Sequence, residues 1–255
     1  MDDHRTAVEW PYTPGDFFEA EFTTTICGEH LLLKDGWARV EVSRAQDPID
    51  PNLLQCLTDA VRTVLHARQL SSRRAFELHD PRVHQRSGGR TKVEITVGDT
   101  LSVSVGVDAI LTDQDSSVLV DTRARRIESD HAQVASIAEK ALRSPALRQL
   151  MEFYNAAVMD PDNELVHLYE VRDALAELCG SKAEAQRRLG IPCADWERVG
   201  KLANAEPLNQ GRHRGKHLKY RRPASQDELR DARNIILKWI LEFARGVRAP
   251  NDQAG

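Results

Sequence analysis

Cysteine is scarce and scattered. The chain has four, Cys27, Cys56, Cys179 and Cys193, far apart and with no CxxC pair. That excludes a disulfide-dense scaffold and the ligand spacing of a structural zinc site, and it predicts free thiols held mostly in the core. Long apolar runs are missing too: none exceeds five residues, against the roughly 20 that cross a bilayer. The opening MDDHRTAVEW is acidic and lacks an apolar h-region, so no secretory signal and no membrane partner are expected, and the protein is read as cytoplasmic. Nor is there a strong charge of one sign. Thirty-five Lys+Arg against 39 Asp+Glu give −4, which argues against a generic nucleic-acid coat but leaves room for a local basic patch. No internal repeat, low-complexity tract or GxSxG elbow occurs, and Ser87-Gly88-Gly89-Arg90 lacks the Lys-Thr ending of a P-loop.

What is present suits a folded protein of two domains. Apolar residues make up 41% of the 255 and charged ones 29%, enough to bury a core. The reading is α+β: an N-terminal α+β domain with an antiparallel sheet over 1–128, then an all-α domain over 129–255. Residues 1–15, with Pro11, Pro14 and Gly15, read as a loose lead-in. FFEAEFTTTI is aromatic and β-branched, and HLLLK-DG-WARVEVS is a hairpin signal with Asp35-Gly36 at the turn. Asp50-Pro51 opens a helix whose Leu53, Leu54, Leu57, Ala60, Val61, Val64 and Leu65 share one face. Residues 80–90 read as a loop. Val93–Val97 and Leu101–Val107 alternate as a second hairpin about Gly98-Asp99, and Val118–Val120 as a short strand.

From Ser129 the pattern becomes helical, with helices expected over 129–143, 146–158 and 163–178. In the last of these Leu165, Leu168, Tyr169, Leu175 and Leu178 face inward, while Glu164, Glu170, Asp173 and Glu177 face outward. Gly180 reads as a C-terminal cap, and Ser181-x-x-Glu184 starts a short helix ending at Gly190. A further short helix surrounds Trp196. Ser225-x-x-Glu228 then opens a long amphipathic helix through Phe243.

The chemistry concentrates just before that helix. From Asn209 to Ala224 there are six Lys/Arg, two His and no carboxylate. Arg212, Arg214, Lys216, Lys219, Arg221 and Arg222 offer phosphate partners, and Tyr220 offers a face for a base. Four residues separate Arg212 from His217, with polar His213 directly after the arginine. This spacing resembles the Arg-polar-x3-His signature of HEPN domains, all-α modules of toxin–antitoxin, abortive-infection and other defence systems. Residues 140–246 resemble that family in organisation, with Leu165–Leu178 in place of its LxxLxEALxxL helix. The resemblance implies an RNA-binding protein with metal-independent endoribonuclease activity and no cofactor. His217 would move the proton, Arg212 would stabilise phosphoryl charge, and His213 would orient the pair. It also implies a homodimer and an antitoxin or sensor partner. One departure is Gly215, which interrupts the helix start on which such a motif usually sits.

Two other readings stay open. The basic stretch can serve a non-catalytic interaction or regulatory protein, or simply be a solvated loop. Gly180–Ile191, with the Trp196 helix, also resembles a helix-turn-helix DNA-binding unit carrying Arg187 and Arg188. Against that, Asp195 and Glu197 occupy the base-reading positions and Trp196 is better suited to a core. His167 reads as a structural histidine, Asp113-x-Asp115 as turn chemistry, and His79, Asp80 and His84 as surface polar residues.

Overall fold

A computed structural model describes residues 5–42, 49–86, 110–112, 118–217 and 219–247. The fold is α+β. It divides into two compact units, one of residues 1–68 and 76–136, the other of 69–75 and 137–255. Among the described residues no helix is long and apolar enough to cross a membrane.

The first unit is built on strands β1 (Arg5–Thr13), β2 (Phe22–Ile26), β3 (Glu29–Lys34), β4 (Trp37–Val42), β5 (Glu77–Leu78) and β6 (Arg82–Arg86), with helix α1 (Pro51–Ser72). The six strands form an antiparallel sheet ordered β2-β3-β4-β1-β5, and β6 also pairs β1. Residues 5–13 are therefore the central strand and not a lead-in. Strict alternation explains it: Thr6, Val8, Trp10 and Tyr12 are buried while Ala7, Glu9 and Pro11 are not. Pro11 is tolerated because of the edge its ring faces. Its carbonyl accepts from His79 N at 2.9 Å, so its missing N–H falls on the side where pairing passes from β6 to β5. The same pairing corrects the loop expected over 80–90, since Arg82–Arg86 run along Arg5–Glu9.

The Asp35-Gly36 hairpin forms as expected, with φ of +48° and +80°. Cys27-Gly28, at +50° and +83°, makes a second two-residue turn of the same kind between β2 and β3. Leu57, Ala60, Val61, Val64 and Leu65 of α1 are buried, and Trp10 Nε1 donates to Thr58 Oγ1 at 3.0 Å. Phe17 and Phe76 close the layer at 5.3 Å between rings. The hairpin of β7 (Ile110–Thr112) and β8 (Val118–Asp121) leads into α2 (Thr122–Arg143), which starts earlier than 129 because Asp121 Oδ1 accepts from Ala124 N at 2.9 Å. Arg123 and Arg126 of α2 both grip Glu19, whose carboxyl they draw down to about 2, Arg126 most of all. The expected strands at 93–97 and 101–107, the turn carboxylates Asp113 and Asp115, and Ser87–Arg90 lie outside the described residues.

The second unit contains α3 (Pro145–Met159), α4 (Glu164–Cys179), α5 (Lys182–Leu189), α6 (Cys193–Gly200) and α7 (Gln226–Gly246). Helix α4 packs on α3, α5, α6 and α7. Its ends follow the sequence: Gly180 takes a left-handed φ of +91°, and Ser181 accepts from Glu184 N at 3.1 Å to start α5. Ser225 and Glu228 form a complete capping box on α7. Two expectations on α4 are corrected. Leu178 is exposed, one residue before the helix ends at the buried Cys179. Glu164 is 2% exposed instead of outward, because Arg233 of α7 meets both its carboxylate oxygens. The thiols are corrected as well. Only Cys179 is buried, while Cys27, Cys56 and Cys193 are exposed.

Candidate nucleic-acid interface

The basic stretch is a loop pinned at both ends. Asn209 N donates to Arg222 O at 2.9 Å and Arg222 N to Pro207 O at 3.0 Å, so the chain leaves and returns at one neck. Gln210 Oε1 accepts from Ala224 N at 3.0 Å just inside it. Gly211 sits where no side chain fits: a Cβ there would stand 2.9 Å from Ala203 O, the same carbonyl that accepts from Arg212 N at 2.7 Å. The loop is thus seated on the π-helical turn Lys201–Ala205 that extends α6.

Its basic residues divide into anchors and free heads. Arg214 is an anchor. It donates to Gly211 O at 3.2 Å, to Asp162 O at 2.7 Å and to Asn163 Oδ1, tying the loop to the turn before α4. Arg222 is another, with both guanidinium ends on Glu228 at 2.7 Å. That fork, ahead of the Ser225 contacts, draws the Glu228 carboxyl down to about 2 and raises Arg222 further. By contrast His213, Lys219, Tyr220 and Arg221 are exposed, Tyr220 to 79%, and none makes an ion pair among the described residues. Arg212 is half-free: its guanidinium lies 4.6 Å over the Tyr169 ring and reaches Asp173 Oδ2 only at 3.5 Å.

Arg212 is also the outermost member of a ladder the sequence did not reveal. Tyr169 takes Arg212 on one contact and Arg172 on another, at 4.5 Å. Arg172 lies 4.9 Å over Trp196, which stacks on Trp239 with 5.2 Å between centroids and 23° between planes. Arginine, tyrosine, arginine and two tryptophans thus connect the loop to the core between α4, α6 and α7. The spacing Tyr169-x-x-Arg172 places both on one side of α4, a signal available in the sequence. Trp196 is 1% exposed, so on α6 it serves the core, while Arg187 on α5 is held by Glu184.

Arg214–His217 form one 3-10 turn, and Arg212 precedes it in a bend, so the two ends of the Arg-x4-His motif do not share an α-helix. The side chains of Lys216 and His217, and all of Leu218, lie outside the described residues. A second histidine stands close to the anchor. His167 contacts Glu170 through Nδ1 at 3.0 Å and Asp160 through Nε2 at 3.4 Å. Asn163, which receives Arg214, donates to the same Asp160 carboxylate at 2.7 Å. Asn163, then His167, lower the pKa of Asp160. His84 pairs with Glu9 at 3.1 Å and His79 with Glu77 at 3.7 Å on the sheet unit's surface. Among the described residues no cluster of His, Cys, Asp and Glu could hold a metal ion. No family model, curated protein or solved structure matches the chain.

Proposed function

We propose that the loop 209–224 binds single-stranded RNA. The observation that carries this is the division of labour among its basic residues. Arg214 and Arg222 hold the loop's shape through internal contacts, and His213, Lys219, Tyr220 and Arg221 are left presented to solvent. A shaped cationic loop loses little freedom on binding, which favours affinity over that of a slack one. Tyr220, 79% exposed beside two cations, offers a stacking face that every base can use, while Lys219 and Arg221 take phosphates. Arg212 adds a guanidinium whose ion pair at 3.5 Å is easily exchanged for phosphate.

The HEPN resemblance extends this reading to cleavage. Arg212 would neutralise charge on the phosphoryl oxygens, His217 would transfer the proton at the ribose hydroxyl or leaving oxygen, and His213 would orient the phosphate. No metal enters that chemistry, and a second copy of the chain would bring a second motif. The cell context is then a defence or stress response with an antitoxin or sensor partner.

Fluorescence polarisation on a labelled single-stranded RNA tests the binding. Tyr220→Ala is expected to weaken it about 5- to 100-fold, the range of one lost stack. Lys219→Ala and Arg221→Ala should each flatten the salt dependence by about 0.7 in log–log slope. Unchanged affinity in the combined Lys219, Tyr220 and Arg221 alanine variant, with its helical signal intact, overturns the proposal. Cleavage is read separately in EDTA, where His217→Ala should abolish it and leave binding. RNA that is bound but never cut by the wild type leaves a binding module and removes the nuclease extension.

A further inference from the structure

The tip of the β2–β3 hairpin carries a residue that its backbone does not favour. Cys27 holds φ of +50° in a two-residue turn where Asn or Gly is usual. Its sulfur lies 2.9 Å from Cys56 Sγ, on α1, and 3.9 Å from the Cys56 carbonyl oxygen. The two cysteines are 29 residues apart in sequence and both exposed. Nothing in the loop or its basic side chains takes part, so this pair is independent of the RNA reading.

We propose that Cys27 and Cys56 form a reversible covalent site, closing to a disulfide by exchange with a small disulfide such as oxidised glutathione. The sulfurs already touch, so forming the bond, at roughly 2.05 Å, needs less than about 1 Å of approach. Although the residue is exposed, desolvation at its sulfur, and then the hydrogen bond with Cys56, push the Cys27 thiol up to about 12. Cys27 therefore keeps its proton, and the Cys56 sulfur makes the first attack. Its thiolate breaks the glutathione disulfide, forms a mixed disulfide and expels one glutathione thiolate. With the Cys56 sulfur now in a neutral mixed disulfide, the negative charge that helped hold the Cys27 proton is gone. Cys27 ionises, attacks the Cys56 sulfur and expels the second glutathione. Two electrons pass from the cysteines to glutathione, and the two thiol protons end on the two released glutathione molecules. The other thiols are internal controls: Cys179 is buried, and Cys193 donates to Glu197 at 3.2 Å.

The test uses the reduced full-length protein, incubated with oxidised glutathione, then alkylated and mapped by mass spectrometry. The expected product is an intramolecular Cys27–Cys56 cross-linked peptide, with Cys179 and Cys193 alkylated as in the reduced control. The rate should rise with pH, and a thiol reductant should reverse the product. Closure should also raise the melting temperature of the oxidised protein by about 5–10 °C, a shift absent in Cys56→Ser. Cys27→Ser should stop at the mixed disulfide on Cys56. Alkylation of both thiols after oxidant, separate glutathionylation of each without a cross-link, or cross-links only between copies would each overturn the proposal.

Discussion

The two units secure their interiors by different means. The sheet unit relies on pattern: alternate residues of β1, β3 and β4 turn inward and are mostly apolar, and among its described residues no charged pair goes deeper than the part-buried Arg68–Asp130. The helical unit brings charge inside. Glu164 is 2% exposed against Arg233, and Arg172 lies between Tyr169 and Trp196 with its Nε buried and unpartnered. Apolar burial is forgiving of detail, whereas a buried ion holds only while each partner stays in place. The unit carrying the candidate interface is therefore the one whose geometry depends on individual charges.

The largest contrast should come from Arg233→Met, which leaves the Glu164 carboxylate buried and alone. It should cost about 3–5 kcal/mol in urea unfolding, against less than about 1 kcal/mol for Arg62→Ala in the exposed pair with Asp59. A loss below 1 kcal/mol for Arg233→Met would erase the distinction between the units. Leu31→Ala, in the sheet core, should cost about 2–5 kcal/mol at any ionic strength, because only packing is removed. Strong salt dependence there would show that the sheet also leans on charge.

His66 sharpens the comparison as a buried titratable group of the sheet unit. Burial, then Arg62, hold its pKa down to about 4. The fold keeps the ring neutral, while the unfolded chain binds a proton near pH 6.5. Stability is then greatest above that value and falls by about 3 kcal/mol as pH drops to 4. A denaturation series over that window should show the decline, and His66→Leu should flatten it. In the helical unit the sign check gives a different window: Glu228, drawn down to about 2, keeps its contribution above the ordinary carboxylate range and loses it as pH falls through 2. Smaller effects should follow at the loop. Gly211→Ala should cost about 1–3 kcal/mol, since Ala203 O is backbone and cannot step aside, and should weaken RNA binding with it. Ser225→Ala should cost about 1 kcal/mol through the lost cap of α7.

These contrasts mirror what the sequence disclosed. Local signals were legible: the Asp35-Gly36 turn, the Gly180 and Gly190 caps and the Ser225 box are each written within a few residues. β1 was hidden because Pro11, with Pro14 and Gly15 after the strand, reads as loop until a partner strand shows which edge Pro11 faces. Glu164 read as outward because a carboxylate is buried only where a cation comes to meet it, and Arg233 is 69 residues away. The basic stretch was plain as composition, but its split into anchors and presented heads was not. Asp162, Asn163 and Glu228 choose which arginines are occupied, and they are set by the fold. The Cys27–Cys56 contact was invisible for the same reason, since spacing along the chain says nothing of two sulfurs on different elements.

The neck at Leu208 and Arg222 gives the loop a modular character. Entry and exit are stitched side by side, so the distance from α6 to α7 does not depend on what lies at the tip. Residues around Lys219 and Tyr220 can be exchanged, lengthened or tagged while the helices keep their places. The loop is a natural graft site, where variety in what is recognised can accumulate without disturbing the scaffold.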